Sequence, residues 1–213
     1  MVKNLRFAGL LLLSMAIAIT LSAIFIKVKP IPIFIKVDSL GKEIITAFSE
    51  GNSGNFVIVN KENFTLSLYQ NFNKIRQYDI AIGKGHGNKR VKGDDRTPEG
   101  IYKIESVEDA SHWFYHYPGD SLPPVMGAYG KWFVRLDVPG FKGIGIHGFL
   151  NDDSLGKRKS KGCIRINNDN LDELVQWLSP GMLVIIEPSA RDKMFDHELE
   201  AQKRSGVKSR RGS

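Results

Sequence analysis

From residue 55 onward the chain is a series of short segments in which apolar and polar residues alternate, separated by glycine, proline or asparagine. Phe64–Gln70 is typical, because Phe64, Leu66 and Leu68 fall on one face. This period of two indicates a half-buried β-strand. By the same criteria we predict strands at 55–60, 64–70, 75–82, 101–104, 131–137, 143–147, 163–166 and 182–187.

One late segment has a helical pattern instead. Asn167–Leu178 begins with residues that cap helices, carries leucines at helical spacing, and is followed by Ser179-Pro180-Gly181, which stops a helix. Residues 106–130 read as an aromatic-rich loop, and the polar tail 189–213 is expected to be disordered or only marginally helical. The sequence thus predicts a β-rich domain (mainly β or α+β) over residues 55–188, with one late helix.

The N-terminal region contains 20 consecutive uncharged residues, Phe7–Ile26, preceded by Lys3 and Arg6. A run of about 20 apolar residues is long enough to cross a bilayer as a helix. The Ala16–Ala18 segment would suit a signal-peptide cleavage site, but the apolar run continues for eight residues beyond it, which favours a membrane anchor. Under either interpretation residues 1–26 direct export to the periplasm or cell envelope, and 27–54 form a linker and a short helix.

The positive charge lies at the two ends of the chain. The net charge of +7 divides into +4 from residues 1–30 and +3 from residues 189–213, which leaves 31–188 neutral. A nucleic-acid-binding domain normally carries its positive patch on the folded body. We therefore expect no nucleic-acid partner.

A metal site is also not expected. His112 and His116 are four residues apart, a spacing that could bind zinc on a helix. The glutamate of an H-E-x-x-H motif is missing, however, and no third ligand is evident. We predict neither a metal nor another cofactor.

Two glycine-rich motifs suggest cysteine chemistry. His147 ends Gly143-Ile144-Gly145-Ile146-His147-Gly148, and the chain's one cysteine, Cys163, follows sixteen residues later. A cysteine nucleophile needs a nearby base, and glycine beside it lets a substrate carbonyl approach backbone N–H groups that could stabilise an oxyanion. The alternative is an inert thiol that packs as a small apolar group.

The order of three motifs resembles a known family. Arg96-Thr97-Pro98-Glu99-Gly100, the glycine-rich histidine motif, and Ser160-Lys161-Gly162-Cys163-Ile164-Arg165-Ile166 followed by a helix are similar to the L,D-transpeptidase catalytic domain. The resemblance covers about residues 55–188. It implies a YkuD-like mixed β-sandwich and an enzyme that acts on peptidoglycan stem peptides.

The resemblance also implies roles for individual residues. Cys163 would attack the carbonyl of the third stem residue and expel D-Ala, with His147 as general base, and an amine would then take the acyl group to give a 3–3 cross-link. Arg165 would shape the site or hold a substrate carboxylate. The groups implied to orient the base or stabilise the oxyanion are Gly148, Gly162 and Ser160.

One position departs from the family pattern. The motif usually reads S-H-G-C, whereas this chain has Lys161 in place of the histidine. Lys161 supplies a flexible point charge near the substrate. The departure keeps two other activities open on the same fold, an L,D-carboxypeptidase and a hydrolase of cross-links or other wall amides. A non-catalytic wall-binding module, with aromatic residues of 112–129 as its binding surface, is the alternative from another class.

Overall fold

The computed structural model describes residues 54–116, 123–150 and 152–205. The anchor or signal segment, the linker and the short helix predicted before residue 54 lie outside these residues. Within the described part, no helix is long and apolar enough to cross a membrane.

Eleven strands and two α-helices make up the described elements. The helices are α1, Asn168–Leu174, which continues as a 3₁₀ turn over Val175–Trp177, and α2, Ala190–Arg204. A second 3₁₀ turn spans Asp152–Ser154. The strands are β1 (Asn55–Asn60), β2 (Thr65–Gln70), β3 (Asn73–Gly83), β4 (Gly100–Asp109), β5 (Phe114–Tyr115), β6 (Val125–Met126), β7 (Trp132–Asp137), β8 (Gly145–His147), β9 (Arg158–Ser160), β10 (Ile164–Ile166) and β11 (Leu183–Glu187).

Nine of the strands form one sheet that closes on itself. Their order is β10-β8-β7-β4-β11-β1-β2-β3-β9, and β10 also pairs with β3, where Arg165 lies opposite Ala81. Most pairings are antiparallel, but three are parallel: β8 with β10, β1 with β11 and β3 with β9. The strands β8 and β10, which carry the two glycine-rich motifs, pair directly with each other in the wall of this barrel-like sheet.

The interior of this sheet is filled by alternate residues of the strands. Val57 and Val59 of β1 pack there with Val184 and Ile186 of β11. The intervening residues of the same two strands form a second cluster on the other face. Burial on both faces explains why β11 is an almost continuous apolar run rather than an alternating one. The second cluster consists of Phe56, Leu183 and Ile185.

The predicted β-rich class and the helix after Cys163 are confirmed. Residues 106–130 are less irregular than expected, because β4 extends to Asp109 and a two-stranded ribbon pairs Phe114 with Met126. Strands of two residues are too short to show any sequence period. Strand β9 has the sequence Arg-Lys-Ser, which carries no apolar signal at all.

The prediction for the start of the tail is wrong, since residues 190–204 form α2. Ser189 and Asp192 form a reciprocal capping box at its N-terminus, and the last turn carries Lys203 and Arg204. Basic residues there favour a helix through its dipole. The one fully buried residue of α2 is Asp192, so polar contacts rather than an apolar stripe hold the helix to the domain. The sequence of this helix therefore has no apolar stripe from which it could be predicted.

Candidate active site

The two motifs meet on one face of neighbouring strands. Ile146 of β8 pairs with Ile164 of β10, and both side chains belong to the core. The next pair along, His147 and Arg165, therefore points to the opposite face. Cys163 lies two residues before Arg165 and shares that face. Cys163 lies in the bend just before β10, and its thiol lines the same cleft as the His147 imidazole.

The His147 imidazole is fixed in one orientation and one tautomer. Its Nδ1 lies 2.5 Å from the carbonyl oxygen of Gly148. A carbonyl only accepts hydrogen bonds, so Nδ1 carries the proton and Nε2 keeps a free lone pair. Phe133 stacks against the ring at 5.6 Å with a 10° angle, and the ring of Tyr129 meets it edge-on at 5.0 Å.

The protonation states follow from burial. His147 is 4% exposed, and this burial lowers the pKa of its imidazole to about 4. Burial also raises the pKa of the Cys163 thiol, although the Gly145 N–H and the cations of Arg165, Lys89 and Arg135 oppose that rise. Both groups are therefore neutral at pH 7. A neutral imidazole beside a neutral thiol acts as a general base at the moment of attack.

The turn before Cys163 is built by Ser160 and Gly162. The Ser160 hydroxyl donates to the Cys163 carbonyl at 2.5 Å and accepts from the Gly162 N–H at 3.1 Å. Gly162 has a φ of +127°, and a Cβ there would lie 2.9 Å from the Arg96 carbonyl oxygen. Both donors are used inside the turn, so Ser160 and Gly162 orient the nucleophile and are not free to stabilise an oxyanion.

Asn168, the first residue of α1, supports the segment that holds the imidazole. Its Oδ1 accepts from the Phe149 N–H at 3.2 Å, and its Nδ2 donates to the Phe149 carbonyl at 3.3 Å. A Cβ on Gly148 would overlap this amide, so only glycine fits between the two. The clamp fixes the backbone just after Gly148, which is the residue whose carbonyl orients His147. Sequence analysis missed Asn168, which looks like an ordinary first-turn residue.

The thiol and imidazole open into a cleft of about 590 Å³ whose charged lining is entirely basic. No aspartate or glutamate of the described residues lines it. A cleft of one charge sign attracts ligands of the opposite sign. Its basic residues are Lys89, Lys92, Arg135, Lys142, Lys161 and Arg165.

Two of these cations were singled out from the sequence. The guanidinium of Arg165 lies 3.8 Å above the Phe149 ring, and its Nε has no hydrogen-bond partner among the described residues. The ammonium of Lys161 lies 5.4 Å from the centroid of the Tyr115 ring, on an exposed side chain. Both line the cleft. Lys89 and Lys92 reach it from the loop after β3, and nothing in their sequence neighbourhood indicates that.

Aromatic residues form the rest of the wall. Of the aromatic residues in 112–129, which the sequence offered as a possible binding surface, Trp113, Tyr115 and Tyr129 line the cleft, Phe114 is exposed and Tyr117 lies outside the described residues. Phe133, which the sequence analysis placed only in a strand, supports His147 from below. The described residues contain no group of three or more His, Cys, Asp or Glu side chains arranged to hold a metal ion.

The fold and the site together define a β-barrel-like domain with a cysteine–histidine pair at the base of a cationic cleft, a type of site suited to acyl transfer. A model of the L,D-transpeptidase catalytic domain family (YkuD) matches residues 54–186. The chain belongs to this family.

Two relatives from Bacillus agree with the family assignment. YqjB of Bacillus subtilis strain 168, which is assigned by name to the L,D-transpeptidases, is 34% identical over 140 residues, covering 64% of this chain and 73% of that protein. YkuD of Bacillus licheniformis, assigned in the same way, is 30% identical, covering 58% of this chain and 60% of the relative. The solved helical cell shape determining protein Pgp2 of Campylobacter jejuni is 24% identical with a TM-score of 0.49, covering 71% of this chain and 56% of that one. The chain thus spans less than two thirds of the last two proteins.

The pKa of His147 predicts an unusual pH profile. An unperturbed imidazole loses its basicity below about pH 6.5, but burial lowers the pKa of His147 to about 4. We therefore expect the second-order rate of Cys163 acylation by a carbapenem to stay constant from pH 7 down to about 5 and to be half-maximal near pH 4. Intact mass spectrometry at each pH measures the rate.

The lowered pKa of His147 also affects stability, so loss of activity at low pH has to be distinguished from unfolding. Because the folded-state pKa of His147 lies below the unfolded value, its contribution to stability is present above about pH 6.5 and is lost as the pH falls toward 4. Circular dichroism at each pH shows whether the protein is folded. The exposed His197 provides the control, since His197→Gln should leave the midpoint unchanged. A midpoint between pH 6 and 7 in folded protein would contradict the burial argument.

Proposed function

We propose that this protein is an L,D-transpeptidase of peptidoglycan that forms a thioester on Cys163. The observation that carries the proposal is that Cys163 lines the same cleft as a neutral His147, whose Nδ1 is held by the Gly148 carbonyl at 2.5 Å. This arrangement leaves Nε2 available for one proton. The family assignment over residues 54–186 supports the same chemistry.

The first half-reaction consumes a tetrapeptide stem. His147 Nε2 takes the thiol proton as Sγ attacks the carbonyl of the third stem residue. The tetrahedral intermediate collapses, the bond to D-Ala breaks, and the imidazolium gives its proton to the departing amine. The acyl group is then held as a thioester on Cys163, and His147 is neutral again. A low pKa of His147 favours the proton's return to the leaving group.

The second half-reaction transfers the acyl group to an amine. The amine of another stem gives a proton to Nε2 and attacks the thioester carbonyl. The C–S bond breaks, the thiolate recovers the proton, and a new amide forms the 3–3 cross-link. Water in the place of the amine would give a tripeptide, which is the carboxypeptidase outcome.

The basic cleft supports a donor with several carboxylates. Arg165 and Lys161 line the cleft on either side of Cys163 in the sequence, and Arg165 carries a buried Nε without a partner among the described residues. A guanidinium there can hold a carboxylate of the stem. Lys161 supplies positive charge farther along the wall, where it lies over Tyr115. Lys161 therefore replaces the usual histidine of the family only as a source of positive charge.

We also propose that residues 1–26 place the catalytic domain outside the cytoplasm. The uncharged run Phe7–Ile26 is the feature that supports export. Peptidoglycan stems are present on that side of the membrane. Fusion of residues 1–54 to a reporter that is active only outside the cytoplasm tests this proposal, and a reporter that stays inactive contradicts it.

The activity is tested with the purified full-length chain and disaccharide-tetrapeptide, with the products read by mass spectrometry. A dimer that lacks one D-Ala is the expected product. The matched control is disaccharide-tripeptide, which has no D-Ala to release and should give no dimer. A tripeptide without dimer would replace transpeptidation by carboxypeptidation, and the absence of both D-Ala release and a Cys163 adduct would overturn the proposed chemistry.

A further inference from the structure

The loop between β3 and β4 brings two cations into the active cleft. Lys89 and Lys92 of this loop line the cleft, as does Gly93. The loop is organised around Asp94, which accepts from the Arg90 N–H at 2.7 Å and from the Lys89 ammonium at 2.8 Å. These bonds hold the pKa of Asp94 down at about 2 despite its partial burial. Asp94 thus ties Lys89, Arg90 and Val91 to one another, and the contacts that anchor the loop to the body of the domain set the position of both lysines.

The anchor is the C-terminal helix α2. Asp192 accepts from the Gly87 N–H at 2.7 Å, and Asp196 accepts from the Asn88 N–H at 2.9 Å. The guanidinium of Arg90 forms ion pairs with Asp196 at 3.0 Å and, one helical turn farther along α2, with Glu200 at 3.1 Å. Three successive turns of one helix face thus bind three neighbouring positions of the loop.

A ring contact and close packing complete this interface. The Arg96 guanidinium lies 4.8 Å from the centroid of the Phe195 ring. Gly87 has a φ of +81°, and a Cβ there would lie 2.9 Å from the same ring. The loop can approach α2 this closely only because position 87 is glycine.

Asp192 fastens the helix to the body of the domain. Its carboxylate is 0% exposed and accepts from Arg158 at 2.6 Å and from Lys61 at 3.1 Å. Arg158 also donates to the Gly85 carbonyl at 2.9 Å, so the same cation holds the start of the loop. These contacts keep the pKa of Asp192 far below its ordinary value, even though burial opposes them.

We propose that α2 is a positioning element of the active site, an assignment that rests on the proposed function for the nature of its substrate. Through Asp192 and Asp196 it holds the loop after β3 so that Lys89 and Lys92 form the cationic wall that receives the stem carboxylates. Asp196 is the positioning residue that acts most specifically on this loop. The helix begins at Ala190, beyond residues 54–186 that match the family model.

The rates of Cys163 alkylation measure the positive potential that the cationic wall creates near the thiol. Iodoacetate is an anion and iodoacetamide is neutral, and both alkylate the chain's one cysteine with distinct mass shifts. The ratio of their rate constants reports the positive potential near the thiol. We expect Asp196→Ala to lower this ratio roughly fivefold at low ionic strength, the effect of losing one close charge. High salt should remove the difference between variant and wild type.

The direction in which the alkylation ratio changes distinguishes displacement of the two lysines from the mere loss of one charge. Asp196→Ala removes a negative charge, which by itself would raise the ratio, whereas displacement of the lysines lowers it. Glu198→Gln makes the same charge change on an exposed part of α2 and should leave the ratio unchanged or slightly higher. Lys92→Gln removes one cation of the wall and should lower it. Asp196→Asn keeps an oxygen for the Asn88 N–H and should give an intermediate ratio. If Asp196→Ala does not fold, Asp196→Asn is the variant with which the inference is tested.

Kinetics with the tetrapeptide donor provide the second readout. Asp196→Ala should raise KM about fivefold with little change in kcat, because the wall binds substrate and does not touch the reacting atoms. An unchanged or raised alkylation ratio in folded Asp196→Ala protein would overturn the inference. Alkylation needs no stem peptide, so a wild-type protein that fails to process tetrapeptide would overturn the proposed function and leave the positioning test standing.

Discussion

Replacing Cys163 with alanine should abolish release of D-Ala and formation of cross-links, with a rate loss on the order of 10⁶-fold. The physical reason is that the described site offers no second nucleophile. Ser160, the nearest hydroxyl in sequence, already donates its proton to the Cys163 carbonyl at 2.5 Å. His147 keeps its contact with Gly148 at 2.5 Å but then has no thiol proton to take. Tetrapeptide turnover followed by mass spectrometry measures the loss.

A matched substitution and a stability measurement make this result specific. Ser111→Ala changes a residue of similar size outside the cleft and should retain wild-type turnover. The thermal midpoint of Cys163→Ala should stay within a few degrees of wild type, because the side chain is only partly buried and its contact with the Gly143 carbonyl is long, at 3.4 Å. Turnover by a folded Cys163→Ala protein at even a hundredth of the wild-type rate would exclude a thioester mechanism.

The strands, and the placement of Cys163 and His147 in one cleft, were predictable from sequence because both depend on local patterns. Alternation in Phe64–Gln70 reflects a strand with one buried face, and β2 follows at Thr65–Gln70. The pairing of Cys163 with His147 came from the spacing and order of glycine-rich motifs. In the parallel pairing of β8 with β10, His147 lies opposite Arg165, which places the two motifs side by side.

The parts that sequence analysis missed depend on contacts between distant segments. Helix α2 has a polar composition and is held by Asp192, whose partners Lys61 and Arg158 lie far away in the chain. The Ser189-x-x-Asp192 pattern is a capping box and was the one local signal that could have predicted its start. Lys89 and Lys92 resemble solvated loop residues until α2 places their loop beside the cleft.

The second large effect is expected at Lys61, which is 1% exposed and whose ammonium is surrounded by oxygens. It donates to the Gly87 and Thr97 carbonyls at 3.3 Å each and forms ion pairs with Glu99 and Asp192. A single buried cation therefore ties together both ends of the loop that carries Lys89. Lys61→Met removes the charge but keeps most of the volume, and leaves two buried carboxylates with one cation fewer.

We expect Lys61→Met to lower the free energy of unfolding at pH 7 by about 3–5 kcal/mol, the usual cost of removing one partner of a buried ion pair. Denaturant unfolding measures the loss, and Lys103→Met, at an exposed position of β4, is the matched control. Glu99→Gln added to Lys61→Met should restore part of the stability, because it removes a buried charge that has lost its partner.

The pH dependence of this loss identifies the group responsible. Burial already raises the pKa of Glu99 in the presence of Lys61, and loss of the ammonium raises it further. A carboxyl group with a raised folded-state pKa stabilises the protein at low pH and loses that contribution as the pH rises through the folded value. The deficit of Lys61→Met should therefore shrink between pH 7 and 5, while Asp192, with its lowered pKa, stays ionised over that range. A deficit below about 1 kcal/mol, equal to that of Lys103→Met, would show that the ion pair contributes nothing to stability. A large deficit that does not change with pH would assign the loss to packing of the lysine stem instead.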